Sequence, residues 1–305
     1  MGCPRPGACI ALTLVLLCGA TGAGAQGVLE GTEVIDFDRP EAWALKYFAS
    51  ASLLTDLGPP RALEPGQVEL ALELVWIPSL SEEQRRVGFY GTKVEDLNRS
   101  PVLPRPRLIV GLPARLTLEV AWVPPVEIDR VRSNLLSLAI ARPIVDRERW
   151  VLGVRAYGQI GESEGDFTCP EDEASIEPGE PGNEFGCEKP SEDTVTLNYL
   201  GLGLTGGYRL SRPRDAAFHL GVYANYLDLE FQVDALTFGF RDRTRLVTDG
   251  FTFSVSGGFS REAFKNTRLA IEAFYSPLQV QRSPDGSTDN DPLFNIRAMI
   301  GYRFR

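Results

Sequence analysis

The 305-residue chain has one His, two Met and five Cys, and nowhere a block of basic side chains. With 31 basic against 41 acidic residues and a formal charge of −10, it lacks the clustered Lys and Arg that phosphate neutralisation requires, so nucleic acid is not an expected partner. Past the first 25 residues no apolar run approaches the roughly 18 residues of a membrane helix. His219 and two Cys leave little material for a His/Cys metal centre. No cofactor, metal site or catalytic residue is expected. A hydrophobic content of 43% excludes a chain that is disordered throughout.

The first segment reads as an export label. Arg5 in a short basic region precedes an apolar run from about Ala8 to Leu17, then Ala23-Gly24-Ala25. That order is the secretory signal pattern, with cleavage after Ala25. Cys18 follows Leu17, not the small residue a lipidation signal wants. Cys3, Cys9 and Cys18 leave with the signal, and Cys169 and Cys187 remain. Beyond the inner membrane this pair reads as a disulfide, with two free thiols the alternative.

What is abundant is alternation. Residues 67–77 read QVELALELVWI, with Val68, Leu70, Leu72, Leu74 and Trp76 on one parity and Glu69, Ala71 and Glu73 on the other. The pattern recurs at 115–123, 149–160, 194–210, 216–232, 249–260, 267–278 and 293–304, and more weakly at 44–54, 105–112 and 132–141. Strict period two means strands with one apolar and one polar face. Segments of about ten such residues between turn-rich loops are the signature of a transmembrane β-barrel. A soluble sandwich also alternates. Three features favour the barrel: strands longer than the usual 5–6 residues, aromatics near strand ends (Trp76, Trp122, Trp150, Tyr208, Phe259 and Tyr275), and connections that alternate in length. The eleven candidates need an even partner, which Thr32–Phe37 supplies. The expected fold is therefore all-β, an antiparallel up-and-down barrel of about twelve strands, within a range of ten to fourteen.

The last strand, Phe294-Asn-Ile296-Arg-Ala298-Met-Ile300-Gly-Tyr302-Arg-Phe304-Arg305, carries apolar or aromatic residues at every even position. It resembles the C-terminal strand of bacterial outer-membrane β-barrel proteins, with one extra Arg after the terminal aromatic. The resemblance implies that Ile300, Tyr302 and Phe304 form an assembly signal. It also implies as partners the barrel-assembly machinery, periplasmic chaperones and outer-membrane lipid, and a bacterial cell outer membrane location in a Gram-negative envelope. Short connections at Leu112–Arg115, Arg142–Glu148, Leu210–Asp215 and Arg261–Asn266 are then periplasmic. The connections at about 78–105, 124–131, 161–193, 233–248 and 279–292 are external. Both termini are expected on the periplasmic side. The expected division is 1–25 signal peptide, 26–43 first strand or plug, and 44–305 barrel. Ser81-Glu-Glu-Gln84 within the first long connection reads as a short capped helix.

The inward parity carries Glu69, Glu73, Glu119 and Glu272 with Arg155, Arg209, Arg268, Arg297 and Arg303. Such charges either pair across the lumen and fill it, or line water and bias permeation. The leading expectation is a porin-like transport function: a narrow channel for small hydrophilic solutes lined by these residues. The competing reading is a non-conducting barrel acting through its external loops. A third, similar to the fatty-acid channel family, uses 26–43 as an internal plug, although that family's Asn-Pro-Ala motif is absent. His219, without a second His or a His-x-Ser motif, reads as a lumen-facing polar residue, so no enzyme is expected. The 161–193 loop holds twelve acids against Lys189, a net −11, so the remainder sums to +1. Stapled by Cys169–Cys187, a bond worth roughly 3 kcal/mol of loop entropy, this loop could bind cations or draw basic ligands to the mouth. Its plain alternative is a solvated surface loop. The 285–291 loop lacks calcium-loop spacing and reads as a turn.

Overall fold

The computed structural model describes residues 27–210, 216–282 and 286–304. The expected signal peptide, Asp285 and most of the expected turn at Leu210–Asp215 lie outside them. Ten strands close into one antiparallel ring. In chain order these are β1 (Val68–Trp76), β2 (Val102–Leu112), β3 (Leu116–Val123), β4 (Val131–Asp146) and β5 (Trp150–Gly165). The second half comprises β6 (Asp193–Arg209), β7 (Ala216–Gln232), β8 (Phe240–Phe264), β9 (Thr267–Ser276) and β10 (Leu293–Phe304). Closure is made by β10 on β1, from Phe304 opposite Val68 to Ile296 opposite Trp76. Each strand otherwise pairs with its sequence neighbour. Three further short strands, Gly27–Val34, Glu127–Ile128 and Ala235–Thr237, pair outside the ring.

Parity decides which way each residue faces. On β1, Leu70, Leu72, Leu74 and Trp76 are exposed while Glu69, Ala71, Glu73 and Val75 are buried. The apolar side thus faces out and the charged side in, as only a lipid-type exterior makes favourable. Ring pairs mark both ends of the outer face: Tyr226–Phe251 at one end, and Trp150–Tyr208, Phe218–Phe259 and Tyr302–Phe304 at the other. From Phe218 to Tyr226 a tilted strand climbs on the order of 20 Å, close to the roughly 25 Å of an apolar membrane band. β2 tolerates Pro104 and Pro106 because its residues 102–106 pair with β1 alone, and β3 joins only from Arg107. A strand proline needs such a one-sided position.

The alternation of connections also holds. Turns at Pro113–Arg115, 147–149 and 265–266 sit at one end, the turn end, with 77–101, 124–130, 166–192, 233–239 and 277–292 at the other, the loop end. In the longest of these, α2 (Glu82–Arg85) opens on a capping box between Ser81 and Gln84. Asp289–Asn290 pairs with Gln279–Val280 as a short ladder.

The count is ten, not twelve, because residues 44–54 are not a strand. They belong to α1 (Pro40–Ser52), which lies inside the ring and is buried at twelve of its thirteen positions. Pro40 opens it and the Trp43 amide donates to the Arg39 carbonyl at 2.8 Å. Ala42, Ala44, Ala49 and Ala51 favour helix. A helix surrounded on every side has no polar face, and so no period-3.6 signal to betray it. The Thr32–Phe37 candidate is met in part by Gly27–Val34, which runs parallel to Phe240–Val247 on the β8 edge that β9 occupies further down. Ile35 follows with a hydrogen bond to the Val247 carbonyl, and the chain then turns into the lumen. It descends through 53–67 to reach β1 at the turn end. The barrel proper therefore begins at residue 68, and the plug is longer than the expected 26–43. The described ends also lie at opposite ends of the barrel, Gly27 at the loop end and Phe304 at the turn end.

Two wall glycines admit this descent. A Cβ on Gly207 would sit 2.4 Å from Pro59, and one on Gly153 2.5 Å from Pro60. Gly207→Val should therefore cost about 1–3 kcal/mol by overpacking and lower the temperature at which the folded band is lost on unboiled gels. Gly31→Val, with open space around it, should leave that temperature unchanged.

Candidate functional site

α1 ends in mid-lumen, where helix geometry leaves its last carbonyls without partners. Wall arginines supply them. Arg297 donates to the carbonyls of Ser50 (3.2 Å), Ala51 (3.4 Å) and Leu53, and stacks over Phe274 at 4.0 Å. Arg105 donates to Ser52 (2.6 Å) and Leu53 (3.3 Å). Further down, Arg107 donates to the Thr55 carbonyl at 2.6 Å and Arg268 to that of Leu57 at 2.7 Å. Tyr199 bridges the two parts, donating to the Ser52 carbonyl and accepting from the Leu54 amide at 3.0 Å.

Three of these guanidiniums are anchored to wall carboxylates as well, while Arg297 donates to the side chains of Asn295 and Thr55. Arg105 binds Glu73 through two nitrogens, Arg107 contacts Glu119 and Glu73, and Arg268 reaches Glu69 at 3.1 Å. Arg155 spans Glu119 and the plug's Asp56, both at 2.8 Å. Asp56 also accepts from Thr205, and Thr55 donates to Glu272 at 2.6 Å. Around the plug, among the described residues, the wall buries five guanidiniums (Arg105, Arg107, Arg155, Arg268, Arg297) and four carboxylates (Glu69, Glu73, Glu119, Glu272), with Asp193 buried apart from them at the loop end. Asp56 is the fifth anion. Arg61, lower in the plug, pairs with Glu69 near the turn end.

Seven of the nine residues expected to line the lumen, Glu69, Glu73, Glu119, Arg155, Arg268, Glu272 and Arg297, do face inward, and all are buried against the plug or one another. Arg209 does not join them. It lies at the turn-end rim, bound to Asp146 at 2.8 Å and to the Arg147 carbonyl, because its strand has already left the membrane band. Arg303 is likewise at the rim, on Glu262. Arg105 and Arg107 were not singled out from sequence, although Leu103, Arg105, Arg107 and Ile109 share one parity. The intervening prolines disguised the strand. His219 is buried with Nε2 3.0 Å from Glu272, and Ser256 donates to the same carboxylate at 2.9 Å. Both side chains meet the Glu, so this is not a nucleophile held by a base.

Cavities of about 40 and 50 Å³ remain beside the plug, room for a water or two. Removing one member of a buried charge network costs about 3–5 kcal/mol. Arg297→Met should therefore destabilise the folded barrel by that order, measured by denaturant unfolding in micelles, while Arg209→Met at the exposed rim should have little effect.

At the loop end the acidic loop is ordered. Cys169 and Cys187 form a disulfide, and Phe185 stacks on Phe89 of the 77–101 connection at 5.4 Å. Buried Lys93 ties the two loops, binding Glu95 at 3.0 Å, the Thr168 carbonyl and Glu173. Among the described residues no cluster of three or more metal-ligating side chains forms. Burial, opposed in part by Lys93, pushes the Glu95 carboxyl up to about 7, with Asp193 and Glu173 adding to the rise. A carboxyl raised in the folded state favours folding below its ordinary pKa, and that advantage is lost as pH rises through the folded value. The 77–101 loop should therefore become more susceptible to limited proteolysis between about pH 4.5 and 7, and Glu95→Gln should flatten that dependence.

No protein-family model matches the chain, and no curated protein matches it. Similar solved structures include an outer-membrane channel from Pseudomonas putida F1, at 12% identity over 82% of this chain and 100% of that one, with a TM-score of 0.41. The translocator domain of the autotransporter NalP from Neisseria meningitidis gives 10% identity, 80% and 89% coverage, and 0.45. The outer-membrane protease OmpT from Escherichia coli gives 12%, 78% and 94%, and 0.38. A channel, a translocator and a protease at such identities assign no activity. The strand pairings and the apolar exterior stand on their own: the chain is a closed antiparallel β-barrel with its apolar face outward.

Proposed function

We propose that the protein is a bacterial outer-membrane barrel closed at rest by its own N-terminal segment, and that it acts at its loop end rather than as a standing porin. The observation that carries this reading is the bonding of Arg105, Arg107, Arg268 and Arg297 to plug carbonyls. A porin-like pore needs those charges to face water, whereas here each is already bound to the plug, and Arg105, Arg107 and Arg268 to a wall carboxylate as well. The exposed apolar belt is the surface for outer-membrane lipid. The outward-facing Ile300, Tyr302 and Phe304 are the edge offered to the assembly machinery, with periplasmic chaperones carrying the chain there. With that edge at the periplasm, the loop end and Gly27 face the exterior.

Two measurements test this. In planar bilayers the wild-type barrel should be silent, and Arg105→Ala/Arg297→Ala should show bursts of current as the plug loosens. Steady wild-type current would overturn the reading in favour of the small-solute channel. An epitope inserted just before Gly27 should be accessible to antibody on intact cells, and access only after permeabilisation would place that end in the periplasm.

A further inference from the structure

A cavity of about 210 Å³ opens at the loop end, between α1, the 77–101 connection, the start of the acidic loop and the upper walls of β6, β7 and β8. It exceeds the roughly 150 Å³ apolar cavity that takes up benzene, so a ring with a short head group fits. Its lining includes five aromatic side chains, Phe48, Phe89, Tyr90, Phe167 and Phe231.

The charged lining is predominantly acidic. Glu33, Glu41, Glu95 and Asp242 line the cavity against Arg39, with buried Lys93 bound to Glu95 behind them. Arg39 is fully occupied: it binds Glu33 and Glu41 and lies 4.0 Å over the Tyr90 ring. It therefore has nothing to offer an anion. The Thr168 side chain, buried beside Asp193, also lines the cavity. Phe89 and Tyr90 hold consecutive positive φ angles of 48° and 59°, a strain that places both rings at the mouth. Above them the stapled loop, with its net charge of −11, raises the local concentration of cations.

We propose that this cavity is a binding site for a small organic cation, an aryl- or alkyl-ammonium whose charged head is held by the aromatic faces and the carboxylate rim. Aromatic rings around a net negative site are the arrangement that recognises substituted ammonium groups. The apolar walls contributed by Leu45, Leu97, Val195 and Leu246 take its hydrocarbon part. The inference does not depend on whether the barrel conducts.

The test is saturation-transfer NMR and calorimetry on the full mature chain, folded in neutral-detergent micelles, with empty micelles as blank. Benzyltrimethylammonium should bind saturably, about tenfold more tightly than 3-phenylpropanoate, and more weakly as salt rises. Glu95→Gln should weaken the cation by about fivefold, while Glu180→Gln, exposed in the acidic loop, should not. Ala44→Phe fills the cavity and should abolish binding while the heat-modifiable band shows a folded barrel. If that variant does not fold, Leu246→Trp fills the same space from the wall. Equal affinity for cation and anion, no saturable binding by folded protein, or undiminished binding in a folded cavity-filled variant would each overturn the proposal.

Discussion

The hydrogen bonds from wall arginines to plug carbonyls are the interaction on which the rest of the structure depends. A helix that stops inside a barrel leaves several carbonyls and the negative end of its dipole away from bulk water. Arg suits this position because its planar fork can reach a carbonyl and a carboxylate together and its charge survives burial. Arg105 does so between Glu73 and the Ser52 and Leu53 carbonyls. The same groups then fix the charge balance. Without Asp56, Arg155 would lose one of its two carboxylate partners, so the plug supplies both acceptors and an anion that the wall needs.

Barrel size makes such a plug necessary. About eight strands can be filled by side chains alone and about sixteen leave a channel; ten strands lie between. Tyr157 and Tyr223, lying over Gly201, Gly203 and Gly221 of the wall, fill part of the space, and a single-file peptide fills the remainder. This peptide is bonded to the wall along its length. What remains accessible is the loop end, where α1, the 77–101 connection and the disulfide-closed loop meet. Strained backbone, exposed aromatics and unpaired polar groups gather there, as they do at sites that bind.

Much of the barrel was legible because period two is forced wherever one face meets lipid. Ten of the eleven alternating segments are strands of the ring, including the weakly patterned 105–112 and 132–141. The exception, 44–54, misleads for a physical reason: Leu45, Tyr47, Ala49 and Ala51 of a buried helix, with Leu53 just past its end, alternate by chance. That single reading propagated into the strand count. The inward charges were legible one by one, but not their use. Nothing in the parity of Arg297 says that its partners are backbone carbonyls more than 240 residues away, since main-chain acceptors carry no sequence signature. Arg209 shows the complementary limit, because parity persists along a strand after it has left the membrane band.

The central claim is that residues 43–61 are a structural part of the barrel and not a tail lying against it. Hydrogen exchange of the folded protein in micelles, followed by mass spectrometry, tests this directly. Peptides covering α1 and the segment through Leu57 should exchange on the slow timescale of the β6 and β7 strands, with the Leu54 amide protected by Tyr199. Complete exchange of that segment within seconds, while the strands remain protected, would contradict the account.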